Sequence, residues 1–131
     1  MCNGNCKLCD SIVISDSVTV VAVGGIDTLV IDVPATSFRN CDKLCLVIAQ
    51  AIPDTATINM PVAISIGGVT TTVYPLVNFN CAQATACSIR TRTRYKLMVQ
   101  TTPTGAVFKA CARLSCAPNN NLAAIPAVAT T

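Results

Sequence analysis

The chain has 131 residues and a mass of 13.6 kDa, enough for one compact domain and too short for two. Hydrophobic residues make up 52% and charged residues 11%, and there is no His, Glu or Trp, so proton transfer would have to run on six Asp, four Lys and two Tyr; this argues against an acid/base enzyme. The net charge of +3 conceals a split, with all six Asp and three cations in residues 1–80 (−3) and six cations without an acid in residues 81–131 (+6), too little charge for a strong non-specific DNA binder but suited to a subunit whose acidic side docks on the basic side of a neighbour.

Val, Ile and Thr together account for 42 residues, and these β-branched side chains favour pleated, half-buried surfaces. Residues 1–10 (MCNGNCKLCD) show no apolar period and read as a Cys-rich N-terminal arm. Alternation begins at Ser11: Ile12 and Ile14 share one side of a short strand, and Val18–Val23 forms a second run that the Gly24-Gly25 turn signal ends. In Thr28–Val33, Leu29, Ile31 and Val33 face one way and Asp32 the other, up to Pro34. Lys43–Ile52 is a continuous apolar run, predicted as a strand covered on both faces and ended by Pro53-Asp54. Gly67-Gly68 joins Val62–Ile66 to Val69–Tyr74 in a hairpin. Ser88–Gln100 and Ala106–Leu114 form a last hairpin around residues 102–105. About eight strands and no helix predict an all-β chain: a single β-sandwich over residues 11–116, jelly-roll or immunoglobulin-like, with an extended tail at 117–131.

The N-terminus has no basic n-region, apolar h-region or small-residue cleavage site, which predicts a protein made and left in the cytosol. No membrane span is expected, because the uncharged stretch Thr55–Ile89 is broken by Asn, Pro and Gly. Nine cysteines nonetheless reach the density of disulfide scaffolds. A particle assembled in the cytosol and released by lysis reconciles the two, since the cytosol itself keeps thiols reduced. Cys2, Cys6 and Cys9 in the arm are candidates for disulfides between subunits, and Cys41, Cys45, Cys81, Cys87, Cys111 and Cys116 for other disulfides; an odd number leaves at least one thiol free or bonded to another chain. Zinc is the competing reading for Cys6-x-x-Cys9, but the other spacings are looser than zinc pairs, and buried thiols are the bland one. No metal and no cofactor are expected.

Arg90, Arg92, Arg94 and Lys96 recur at period two, so on one strand all four would point the same way as a basic ladder. Such a ladder is read as a solvated or charge-protected edge, as a grip on a protein partner, or as a phosphate contact; only Tyr95 lies close enough to stack a base, which disfavours nucleic acid.

The start MCNGNCKLCD, the strand KLCLVIAQAIP, the hairpin VAISIGGVTTTVYPL and the segment SIRTRTRYKL with its Thr- and Pro-rich hairpin resemble small β proteins of clostridial phages and prophages. That resemblance implies a virion structural protein. The chain also resembles the jelly-roll subunits of endospore appendages, whose cysteine-bearing arm crosslinks stacked copies, although here Cys2, Cys6 and Cys9 stand in place of an adjacent Cys-Cys pair. The expectation is therefore a non-enzymatic structural subunit that self-assembles or decorates a bacteriophage virion, with a disulfide-crosslinked extracellular or spore-surface fibre as the alternative. Its expected partners are copies of itself and a capsid or other virion protein, the ladder meeting acids such as Asp27 or Asp32.

Overall fold

The computed structural model describes residues 11–103, 105–111 and 114; the arm at 1–10, Arg113, Cys116 and the tail at 117–131 lie outside them. Eight strands follow the chain: β1 (Ser11–Ile14), β2 (Ser17–Val23), β3 (Ile26–Val33), β4 (Lys43–Val47), β5 (Val62–Ile66), β6 (Val69–Val77), β7 (Arg94–Thr102) and β8 (Gly105–Ala110). The protein is all-β, with one 3-10 turn at Ala86–Ser88 and no α-helix among the described residues. The strands form one curled, sandwich-like sheet in the order β1-β4-β7-β8-β6-β5-β3-β2, a half-barrel of mixed sense. Hairpins β2–β3, β5–β6 and β7–β8 are antiparallel, as is β4–β7, whereas β1–β4, β3–β5 and β6–β8 are parallel.

The two Gly-Gly turns explain two of the hairpins. Gly24 and Gly25 take φ of 58° and 81°, and Gly67 and Gly68 take 64° and 80°, the left-handed pair that matches a two-residue turn to the twist of its strands.

The sheet curls because single strands serve both halves. β1 and β2 are separated only by Ser15 and Asp16, yet they are the first and last strands of the sheet. At the bend, Ser15 N–H donates to Val47 O at 2.9 Å and Asp16 N–H to Asp32 O at 2.8 Å, so adjacent residues reach opposite ends of the sheet. The Ser15 and Gln50 side chains bond to each other, and Gln50 Nε2 donates to Ser15 O at 2.8 Å. β6 makes the second corner, pairing with β5 up to Pro75 and with β8 at Leu76 and Val77. Pro75 sits where one ladder hands over to the next, so its missing N–H is tolerated.

Alternation fills the interior. Leu29, Ile31 and Val33, Leu44 and Leu46, Val62 and Ile64, Leu97 and Val99, and Phe108 and Ala110 pack into one cluster. Ile48, Ile52, Ala56, Met60, Ala84, Ala86 and Ile89 join it from the connections. Two strand expectations are thereby corrected. Residues 48–52 leave the sheet after Val47, and only Ile48 and Ile52 turn inward to the core while Ala49 and Ala51 are exposed. Residues 88–93 are not strand either: Ile89 is buried, and the chain turns at Thr91-Arg92, with Arg92 at φ 60° and its N–H on Ile48 O at 2.7 Å. The last strand ends at Ala110, before the expected Leu114.

Candidate functional site

The turn at 91–92 splits the expected ladder. Arg94 and Lys96 lie exposed on β7, whereas Arg90 and Arg92 precede the strand and share no strand face with them. The register of the neighbouring strands supplies two other cations. Leu44 and Leu46, Leu97 and Val99, and Phe108 and Ala110 point into the core, so Lys43, Arg94, Lys96 and Lys109 stand on the outer face. Lys43, Met98 and Lys109 form one row across β4, β7 and β8; Ile12, Cys45 and Lys96 form the next; Ile14, Val47 and Arg94 the third. From strand and residue spacings, the four cations occupy a patch of roughly 10 by 13 Å. Ile12 and Ile14, 65% and 54% exposed, border it with apolar surface.

The candidate acids lie elsewhere. Asp27 is exposed beside the β2–β3 turn. Asp32 is committed within the chain: its Oδ1 accepts from Ser65 Oγ at 2.7 Å and from Gly68 N–H at 2.8 Å, tying the β5–β6 turn to β3. That removes Asp32 as a free partner for a neighbour's cations and leaves Asp27 in that role.

Among the described cysteines, Cys81 is a free, exposed thiol on the turn after β6, at φ 66°. Cys41, Cys45, Cys87 and Cys111 are disulfide-bonded. Cys2, Cys6, Cys9 and Cys116 lie outside the described residues, so the arm's crosslinks do too. No three Cys or Asp side chains gather as a metal site among the described residues. No described helix is long and apolar enough to cross a membrane.

Among the described residues, clefts open beside β1 and beside the rings of Tyr74 and Phe108. One of about 460 Å³ separates β1 from Pro34, Thr36 and Phe38. It arises because Pro34 ends β3 where that strand would continue alongside β1. Among the described residues lining it, Asp16 alone is charged. The other, about 250 Å³, is lined by Thr36, Ser37, Phe38, Tyr74 and Phe108 among others.

Tyr95 holds the turn that splits the ladder. Its hydroxyl accepts from Arg90 N–H at 2.8 Å and donates to Ser88 O at 3.1 Å. Burial pushes its pKa above the usual value near 10, against the lowering effects of the Arg90 N–H, the Thr93 side chain and the Arg90 charge. A phenol favoured in its neutral form on folding binds a proton that the unfolded chain releases first, so stability falls as pH rises above about 10. Tyr95→Phe is expected to remove that alkaline loss and to cost about 1–2 kcal/mol at pH 7, since two partly buried backbone groups lose their partner; urea titrations of both proteins between pH 7 and 11 check it.

The sequence indicated Arg94 and Lys96 but missed Lys43 and Lys109. Each alternates with core residues on its own strand, a signal in the sequence, but their convergence depends on strand adjacency. Comparison with protein-family models, curated proteins and solved structures finds no match for this chain.

Proposed function

We propose that this chain is a non-enzymatic structural subunit that self-assembles or decorates a larger particle, a bacteriophage virion assembled in the host cytoplasm and released by lysis. The cationic outer face carries the proposal: Arg94 and Lys96, exposed, and Lys43 and Lys109, half-buried, share one face of the sheet with apolar Ile12 and Ile14 beside them. A patch of one sign with an apolar margin suits docking on an acidic protein surface, where complementary charge speeds encounter and fixes orientation. The texture shared with phage and prophage β proteins supports the virion, and the absence of His and Glu supports a non-catalytic role.

Arg94→Glu combined with Lys96→Glu is expected to weaken assembly at least about tenfold at low salt, with the difference shrinking towards 1 M salt, where the screening length is about 3 Å. Sedimentation velocity across a salt series checks it, and an unchanged association constant removes this face from the account. The fibre reading is retained on one observation, the exposed Cys81 thiol. It requires that native material, with free thiols blocked at harvest, run in denaturant at multiples of 13.6 kDa that collapse on reduction.

A further inference from the structure

The open edge of β2 specifies a contact that the charge pattern does not. β2 ends the sheet and pairs only with β3 among the described residues. The direction of its backbone groups follows from the strand beyond. Leu29 N–H donates to Pro61 O at 2.9 Å and Gly67 N–H to Val33 O at 2.8 Å, so the odd residues of β3 are bonded towards β5. The even residues Thr28, Val30 and Asp32 therefore bond towards β2, opposite Val21, Thr19 and Ser17. That leaves Val18, Val20 and Ala22 turning their N–H and C=O groups to the open side. Natural edges are blunted by Lys, Pro, inward charge or a bulge. β2, Ser-Val-Thr-Val-Val-Ala-Val, has none of these within an unbroken register from Ser17 to Val23, and five of its seven residues are β-branched.

We propose that β2 of one copy pairs antiparallel with β2 of a second copy about a twofold axis at Val20. The proposal rests on the self-assembly reading above and names its contact. Pairing a strand with its own copy imposes an electrostatic condition, since charges brought opposite or diagonal to their like oppose it. β2 meets that condition because it carries no charge. With Val20 facing Val20, Thr19 faces Val21, Val18 faces Ala22, and the flanking Asp16 falls opposite Gly24 instead of its own copy. Val20 then exchanges both backbone bonds with Val20 of the second copy, and Val18 does so with Ala22. β1 offers only Ile12 and Ile14 for such bonds and opens into the cleft beside Pro34, so the longer β2 edge is the one assigned.

The test is light scattering of the full chain during size-exclusion chromatography, over a dilution series. Val20→Pro deletes an N–H that points outward and leaves the β2–β3 ladder complete. Because the bond is lost in both copies, self-association is expected to weaken roughly 10- to 100-fold with an unchanged far-ultraviolet circular dichroism spectrum. Thr19→Lys with Val21→Lys sets like charges face to face and dissociates the pair; Thr19→Lys with Val21→Asp sets opposite charges there and restores it. That rescue depends on register, so it stands even if the proline variant fails to fold. Self-association indifferent to all three variants overturns the β2 contact and leaves self-assembly standing. A parent chain that is monomeric throughout the series overturns both.

Discussion

Phe108→Ala is expected to destabilise the fold by about 3–5 kcal/mol, the range for removing a fully enclosed aromatic ring. Phe108 is buried on β8, between β7 and β6, where the sheet turns its second corner. Its ring meets Phe38 edge-on, with centroids 5.4 Å apart and planes at 85°, and Tyr74 at 6.2 Å and 64°. Such edge contacts add about 0.5–1.5 kcal/mol each to the burial of area. The loss therefore exceeds a simple cavity, because Phe38 is partly buried in the connection after β3 and packs against this ring. Small domains are stable by about 5–15 kcal/mol, so the variant should sit near the edge of folding at 37 °C. Urea unfolding of the unreduced chain measures it, with Phe108→Leu expected to lose only about 1–2 kcal/mol because most of the volume is kept. A loss below about 1 kcal/mol for Phe108→Ala would mean that the corner is not held by this cluster.

The second large effect is expected at Asp32→Ala, about 3 kcal/mol, from two charge-assisted bonds removed together. Ser65 is fully buried, so its hydroxyl would lose a partner in a place water does not reach. Gly68 N–H, at the β5–β6 turn, would lose the second. Asp32→Asn keeps an acceptor in the same position and is expected to recover about half of the loss. The local signature is faster amide exchange at Gly68 in the alanine variant, ahead of global unfolding. If Gly68 exchange is unchanged, the carboxylate does not hold the turn.

Much of the fold was legible because alternation and turn chemistry agree. Leu29, Ile31 and Val33 are inside, and both Gly-Gly pairs turn hairpins. Two stretches misled for separate reasons. Residues 48–52 are as apolar as a covered strand, but only Ile48 and Ile52 line the core, from a loop. In residues 90–96 a basic residue at every second position imitates a strand face, while the break at Arg92 is set by partners distant in sequence: Ile48 O takes its N–H. The cationic face was half legible for the same reason. Arg94 and Lys96 are neighbours in sequence, whereas Lys43 and Lys109 reach them only through the β4–β7–β8 ladders.

The bend at Ser15 and Asp16 also governs fidelity of folding. A one-residue slip turns every side chain of a strand from one face of the sheet to the other. Because only Ser15 and Asp16 join β1 to β2, sliding β2 along β3 pulls on β1 along β4, at the far end of the sheet order. Val13 would leave the core at one end as Val18 left it at the other. Two ladders with different partners thus check one alignment, so a misregistered intermediate meets its penalty twice and has no half of the barrel in which to persist.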